Sequence, residues 1–176
     1  MPAEPFPTDT PPGPVLYREA TPDDLPTLCA LGEEVNAVHR DALPTVFNGP
    51  GARQHDMAAH WASGIAQGGD ATTFIATEGG MPVGFVMVAV VDETHPFFLP
   101  CRHGRIGTLG VTASRRGRGI GRGLMRQAEA WARDAGASEI RLFAWAFNQP
   151  ALQLYQELGY DITLHCLGKR LPQAGD

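Results

Sequence analysis

The sequence lacks the features that mark membrane, secreted or nucleic-acid-binding proteins. No stretch approaches about eighteen consecutive apolar residues, and the N-terminus has neither the basic region nor the apolar run of a signal peptide. There are only three cysteines, Cys29, Cys101 and Cys166, and their odd number and wide spacing favour reduced thiols over a disulfide framework. The net charge of −5 argues against a nucleic-acid partner. We therefore expect a cytoplasmic protein with no membrane and no nucleic-acid partner.

The length and composition are typical of one soluble globular domain. The chain has 176 residues, of which 43% are hydrophobic and 19% charged, and it contains no internal repeat. Residues 1–14 contain six prolines and few core-forming side chains, so we expect an extended arm there. The sequence therefore predicts a single folded domain over residues 15–172.

The segment from 106 to 124, I-G-T-L-G-V-T-A-S-R-R-G-R-G-I-G-R-G-L, predicts a buried strand, a glycine-rich loop and a helix. Such an arrangement directs free backbone N–H groups and the positive end of a helix dipole at one point. Glycines let an anion approach the backbone closely, because they have no β-carbon. Four arginines add positive charge to this loop: Arg115, Arg116, Arg118 and Arg122. The segment therefore predicts a phosphate-binding loop.

Two common phosphate-binding motifs do not fit this loop. A P-loop ends in G-K-S or G-K-T, whereas Gly121 is followed by Arg122 and Gly123, which supply neither the lysine nor the magnesium-binding hydroxyl. A dinucleotide-binding fingerprint reads G-x-G-x-x-G, whereas these glycines stand at every second position. The loop must therefore serve a different phosphate ligand.

Two motifs together resemble one family. Arg116, Gly119 and Gly121 form R-x-x-G-x-G, which resembles the pyrophosphate loop of the GNAT superfamily of acyl-CoA-dependent N-acyltransferases. The segment N-Q-P-A-L-Q-L-Y-Q-E-L-G-Y, from Asn148 to Tyr160, is similar to the last conserved motif of that superfamily. The motifs stand in the family's order, separated by one predicted helix and one predicted strand. On these residues the chain is identified as a member of the GNAT superfamily.

The resemblance implies an α+β fold with a mixed, mainly antiparallel central sheet of six to seven strands and helices on both faces. It also implies two parallel strands that splay apart at the cofactor cleft. The residue patterns predict strands over 15–18, 73–77, 82–91, 106–112, 139–145 and 160–167. They predict helices from 21 to about 38, over 56–66, over 120–135 and over 150–158, with irregular segments at 39–47 and 92–103.

The resemblance also implies acetyl-CoA as co-substrate. The backbone of Leu109, Gly110 and Val111 would bind the pantetheine amides. The pyrophosphate would lie against the loop residues Arg116, Gly117, Arg118, Gly119, Ile120, Gly121 and Arg122. In the last motif Asn148, Ala151 and Tyr155 would lie beside the thioester arm. We expect no metal, because Cys101, His103 and His95 lack a fourth ligand and a recognisable spacing.

Acyl transfer to an amine needs a proton donor for the sulfur and a base for the nitrogen. A lysine-like amine is neutral in only about one molecule in 2,500 at pH 7, so something must remove its proton. The resemblance makes Tyr155 the acid. The family often has a glutamate as base at the position of Arg105, and an arginine cannot accept a proton. We rank His103 and Glu93 first as replacements, because they flank the central strand; His95, His39 and Asp41 are the other candidates.

The resemblance predicts an N-acetyltransferase that acts on a primary amine of a small molecule or peptide by direct transfer in a ternary complex. By resemblance, His39, Arg40, Asp41 and Phe47 become candidates for the acceptor pocket. Two alternatives stay open. One is a non-catalytic acetyl-CoA-binding module that acts as a sensor or subunit, in which Arg105 marks a lost base. The other is a two-step enzyme with Cys101 as nucleophile, although no basic partner of that cysteine is evident. The acceptor's identity is not written in the sequence, and a homodimer is one of the states compatible with it.

Overall fold

The computed structural model describes residues 13–65 and 69–171. Its elements, in chain order, are β1 (Val15–Glu19), a 3-10 turn (Pro22–Asp24), α1 (Leu25–Ala42), α2 (Gln54–Ser63), β2 (Ala71–Glu78), β3 (Met81–Glu93), β4 (Cys101–Val111), a second 3-10 turn (Ala113–Arg115), α3 (Ile120–Asp134), β5 (Glu139–Leu142) and α4 (Gln149–Glu157). None of the helices within these ranges is long and apolar enough to cross a bilayer. Most of the predicted proline-rich arm, residues 1–12, lies outside the described residues.

The chain separates into two compact units, which meet in sequence between Phe143 and Ala144. The first unit contains the whole five-stranded sheet, in the order β1-β2-β3-β4-β5. The first three pairs of neighbours are antiparallel, and β5 runs parallel to β4. The α+β class with a mixed, mainly antiparallel sheet is therefore confirmed. That residues 15–172 form a single domain stays a prediction.

The sheet has five strands rather than six to seven, because the strand predicted over 160–167 does not form. Residues 160–171 carry no regular structure, and Leu164 and Leu167 are 71% and 91% exposed. A strand needs a neighbour for its backbone N–H and C=O groups. In the second unit, as far as it is described, no other strand is available to provide one. The alternating apolar pattern of this segment is therefore not sufficient to make a strand.

Several predicted boundaries also differ from those of the structure. Helix α1 continues through Ala42, so residues 39–42 are helical instead of irregular; the helix ends just before Pro44, as the residue preceding a proline disfavours the helical conformation. Strand β4 begins at Cys101, because residues 101–105 pair with 89–93 of β3, and the predicted loop over 92–103 shrinks accordingly. Strand β5 ends at Leu142 instead of Trp145.

Helices cover both faces of the sheet, as predicted. On one face Phe85 and Met87 of β3 pack with Leu28, Leu31 and Trp61 of α1 and α2. The intervening residues Val86 and Val88 are equally buried on the other face, where α3 contacts β3 and β4. Four residues of α3 have no exposed surface: Leu124, Met125, Ala128 and Ala132. Successive residues of one strand thus serve two separate apolar layers.

A one-residue irregularity divides β4. Val88 pairs with Ile106 and Met87 with Thr108, so Gly107 is left between two register positions. Before this point a β-carbon on Gly104 would meet Ala132 of α3; after it, a β-carbon on Gly110 would meet Val35 of α1. The alternation of faces therefore reverses at Gly107. As a result, His103 and Arg105 face the same side of the sheet as Gly110, the side of α1.

The contact between α1 and α2 depends on Gly32. A β-carbon there would lie 2.3 Å from Trp61 Cζ2 and 2.5 Å from Cε2, and the indole is only 3% exposed. We expect Gly32→Ala to lower the free energy of unfolding by about 1–3 kcal/mol, since the rigid buried ring cannot move away freely. Chemical denaturation would measure this. Ala30→Gly, at an exposed position of the same helix, measures the difference in helix propensity between alanine and glycine. Correcting the result for Gly32→Ala by this difference leaves the cost of the contact with Trp61. Unchanged stability of Gly32→Ala would contradict this account of the contact.

Candidate active site

The glycine loop has the backbone geometry that an anion-binding loop requires. Gly117 and Gly119 have φ angles of 73° and 79°, and Gly119 is the N-cap of α3. A β-carbon on either glycine would meet nothing within 4 Å, so the space in front of the backbone is open. The N–H groups in the first turn of a helix have no acceptor within that helix. The loop therefore fits a phosphate group, and the contacts of individual residues with it stay a prediction.

The arginines of this loop already have partners within the protein. Arg115 Nε lies 2.6 Å from Glu78 Oε2, and Arg118 Nη2 lies 2.7 Å from Glu78 Oε1. Arg116 Nε donates a hydrogen bond of 3.0 Å to the carbonyl oxygen of Val111. Much of the positive charge that the sequence suggested is therefore neutralised or used to hold the loop. Sequence reasoning missed Glu78, which stands forty residues before Arg118 and matches no motif.

The second half of β4 has a strand neighbour on one side only. β5 pairs with β4 no further than the Ile106–Leu142 position, whereas β3 continues to pair with Leu109, Gly110 and Val111. Among the described strands, none takes up the backbone groups of these three residues on the β5 side. Such an edge can hydrogen-bond the amides of an extended ligand. This agrees with the expected divergence of the two parallel strands, and the binding of pantetheine itself stays a prediction.

The first half of β4 contributes to a polar face of the sheet, which consists of Glu93, Cys101, His103, Arg105 and Arg141. The strand register places them on the α1 side, because Cys101 pairs with Glu93 and Arg105 pairs with Arg141. Arg141 Nη2 donates to Cys101 Sγ at 3.3 Å, and its Nη1 donates to Glu93 Oε2 at 3.4 Å. Sequence analysis found no basic partner for Cys101, and in the structure the cation of Arg141 lies beside it. A guanidinium cannot accept a proton, so Arg141 is not a base for the thiol.

His103 differs from the other candidate bases in its surroundings. The residue is 7% exposed, and its Nδ1 atom is buried with no hydrogen-bond partner within the described ranges. Buried polar atoms are nearly always paired, so this nitrogen is available for a ligand or a water molecule. By contrast, His95 Nδ1 accepts the N–H of Phe97 at 3.2 Å, and His39 Nδ1 lies 2.8 Å from the carbonyl oxygen of Val35.

Glu93 is a poorer base than the sequence suggested. Its carboxylate accepts a hydrogen bond from the backbone N–H of His95 at 3.0 Å. That bond, followed by the charge of Arg141, lowers the pKa of the Glu93 carboxyl. A carboxylate with a lowered pKa takes up a proton less readily at neutral pH. Within residues 13–65 and 69–171, no three His, Cys, Asp or Glu side chains are arranged to bind a metal.

A cleft of about 720 Å³ lies between α1, α2 and the connection that joins them. Two of the four predicted pocket residues, Arg40 and Phe47, line it; His39 and Asp41 do not. The cleft carries both signs of charge in ion pairs, Arg40 with Glu33 and Arg53 with Asp56 at 2.7 Å. Apolar lining comes from Cys29, Met57 and Trp61. The cleft therefore suits a ligand with an apolar body.

The second unit contains the last motif. Asn148 is the N-cap of α4, and its Oδ1 accepts the N–H of Ala151 at 3.3 Å. Tyr155 is half-buried, with its ring edge-on to that of Tyr160 at a centroid distance of 5.9 Å. Burial raises the pKa of the Tyr155 hydroxyl, so this group stays protonated at neutral pH. The roles of Asn148, Ala151 and Tyr155 toward a thioester stay predictions.

Several solved structures share this fold, and some of them are of acetyltransferases. BH1408 from Bacillus halodurans matches with a TM-score of 0.78 and 22% identity over 89% of this chain and 99% of that one. The aminoglycoside N-acetyltransferase AAC(6')-Iy with a CoA-containing bisubstrate analogue has a TM-score of 0.72 and 17% identity over 92% and 100%. A predicted acetyltransferase from Clostridium acetobutylicum with acetyl-CoA has a TM-score of 0.67 and 18% identity over 89% and 96%. At these identities the likeness shows the fold.

No curated protein sequence matches the chain at a significant level. A family model does match it: the one described as the acetyltransferase (GNAT) family aligns with residues 35–160. This range includes both the glycine loop and the last motif. Because the match covers well over half of the sequence, the chain belongs to the GNAT acetyltransferase family.

Proposed function

We propose that the protein transfers the acetyl group of acetyl-CoA directly to a primary amine of a small molecule or peptide. One observation about β4 carries this proposal: the strand leads into the glycine loop, and it bears the buried Nδ1 of His103, which has no hydrogen-bond partner among the described residues. Family membership supports the acyltransferase chemistry, and solved structures with this fold contain CoA or acetyl-CoA. Acetyl-CoA, when bound, supplies the acetyl thioester.

In this proposal the protein's own residues transfer two protons, one from the amine and one to the sulfur. The amine nitrogen forms the new bond to the acetyl carbon as the carbon–sulfur bond breaks. His103 accepts the proton that the nitrogen loses, either directly or through water, and the Tyr155 hydroxyl gives a proton to the sulfur. Glu93 stays ionised and is more suited to holding Arg141 than to taking the proton. The α1–α2 cleft is proposed to hold the acceptor's apolar body.

The role of His103 can be tested through the pH dependence of kcat/KM. With His103 as base, the acid limb should stay at one pH when the acceptor is changed for an amine of different pKa. His103→Ala should remove that limb and lower kcat/KM by about 10²–10⁴-fold, the usual contribution of a positioned base. His95→Ala, at an exposed position of the neighbouring turn, is the matched control and should leave the profile intact. A limb that follows the acceptor's own pKa would show instead that the acceptor arrives already neutral.

A second candidate is an acetyl-CoA-binding module without catalysis. Arg105 favours it, because this exposed cation stands on the polar face where the family often has its base. Thiol release measured with a panel of amines, together with acetyl-CoA binding by calorimetry, separates the two functions. Binding without release on any amine would favour the module.

One observation supports the two-step alternative: Arg141 donates a hydrogen bond to the sulfur of Cys101. A neighbouring guanidinium stabilises a thiolate, which is the nucleophilic form of cysteine. Mass spectrometry of protein incubated with acetyl-CoA, without acceptor, would detect an acetyl group on Cys101. Direct transfer, which we propose, predicts that no acetyl-enzyme accumulates and that Cys101→Ser keeps the activity.

A further inference from the structure

Glu78 is a buried acid that no motif explains. It is the last residue of β2 and pairs with Val15 of β1 and Met81 of β3, so strands flank it on both sides. Its side chain is only 4% exposed. An ionised carboxylate at such a position needs close cationic or hydrogen-bonding partners, because burial removes its hydration. What Glu78 contacts therefore indicates what it does.

Within the part of the chain that the structure describes, all of its side-chain partners come from the glycine loop. Arg118 approaches with both terminal nitrogens, 2.7 Å from Oε1 and 3.1 Å from Oε2, in the forked arrangement that fixes geometry as well as charge. Arg115 Nε lies 2.6 Å from Oε2, although its N–H is not aimed along a hydrogen bond, so this contact is ionic. One carboxylate thus binds the chain on both sides of Gly117.

The contacts of Glu78 restrain the conformation of the loop, which the glycines cannot do. Gly117 and Gly119 permit the left-handed φ angles of the loop but do not enforce them, since glycine populates many conformations. The loop is held instead by side chains, through Arg115 and Arg118 on Glu78 and through Arg116 on the Val111 carbonyl oxygen. The same contacts turn the guanidinium groups of Arg115 and Arg118 toward Glu78.

We propose that Glu78 is a positioning residue for cofactor binding. It holds the loop so that backbone N–H groups receive the pyrophosphate, and Arg115 and Arg118 act through Glu78 instead of on the phosphates. The inference rests on the proposed function, because it assumes that this loop binds acetyl-CoA. It goes beyond that function in assigning a role to an acid on a distant strand.

The test compares a ligand that contains the pyrophosphate with one that lacks it together with the nucleotide. CoA binding is measured by calorimetry, and the binding of pantetheine, which lacks the nucleotide and both bridging phosphates, by NMR titration. Glu78→Gln keeps the shape of the side chain and removes its charge. We expect the dissociation constant of CoA to rise about ten- to a hundredfold and that of pantetheine to stay the same. A general loss of structure would weaken both ligands equally, and that result would overturn the proposal, as would unchanged CoA binding.

Two further variants complete the experiment. Asp24→Asn removes the carboxylate of another forked pair, with Arg18 at 2.7 Å, that shares no residue with the loop, and it should bind CoA like the wild type. The triple variant Glu78→Gln/Arg115→Gln/Arg118→Gln leaves no unpaired charge and covers the case in which Glu78→Gln fails to fold. We expect it to bind CoA as weakly as Glu78→Gln. Still weaker binding would mean that the arginines contact the phosphates directly. If the wild type binds no CoA, the proposed function itself is wrong.

Discussion

Tyr155→Phe is expected to lower turnover about ten- to a thousandfold while leaving the dissociation constant of acetyl-CoA nearly unchanged, the pattern of a group that acts mainly in the transition state. The substitution removes one hydroxyl and keeps the ring that packs edge-on against Tyr160. Because burial raises the pKa of this hydroxyl, it stays protonated throughout the neutral range and can supply a proton to a leaving thiolate.

Steady-state thiol release gives the turnover of this variant, and calorimetry gives its affinity for acetyl-CoA. Tyr160→Phe removes a second hydroxyl of the same motif and serves as the matched control, with turnover close to that of the wild type. A Tyr155→Phe protein with full turnover on its true acceptor would show that the tyrosine only packs.

Gly119→Glu is expected to weaken acetyl-CoA binding by about a hundredfold or more. The new side chain would stand at the N-cap of α3, where φ is 79° and nothing lies within 4 Å of a β-carbon. It would fill the open space in front of the loop and place a carboxylate where a phosphate is expected. A left-handed backbone at a residue other than glycine adds a cost of roughly 1–2 kcal/mol.

The opposite end of the same helix provides the control. Gly136 follows α3 and has φ of 87°, so Gly136→Glu introduces the same side chain with the same backbone strain. Calorimetry on both variants then isolates the effect of position. Equal losses of affinity in the two proteins would mean that strain, and not the phosphate site, causes the change.

The parts that sequence predicted well are those in which neighbouring residues determine the structure. The glycine loop and the start of α3 follow from residues 106–124, and the capped helix α4 follows from Asn148 and the residues after it. The start of β4 was predicted too late, because Cys101–Arg105 are mostly polar and their pairing with β3 depends on a separate strand. A strand was predicted at 160–167 from local pattern alone, and the described part of the second unit contains no strand.

The same distinction holds for the site. Motifs predicted Arg116 and Tyr155 as site residues, and those roles stay predictions, whereas sequence reasoning singled out neither Glu78 nor Arg141. Both of these residues make contacts between positions that are forty residues apart in the chain, Glu78 with Arg118 and Arg141 with Cys101. No periodicity or spacing encodes such a pair. The register of β4 and β5 places Arg141 near Cys101, and the position of the glycine loop beside β2 places Arg118 against Glu78.

Because of the irregularity at Gly107, the side chains in the two halves of β4 alternate between the faces of the sheet in opposite phase. If β4 kept all of its residues and alternated regularly, one of its halves would have to turn over: either Leu109 and Val111 would take the direction that Gly110 now has, where a single β-carbon would already lie 2.6 Å from Val35, or His103 and Arg105 would turn toward α3. Loss of Gly107 itself would remove the irregularity and leave the other side chains on their present faces. A change of length by one residue elsewhere in β4 would instead reverse one half relative to the other, so the roles proposed for the two halves, toward the amine and toward the thioester, together constrain the length of this strand.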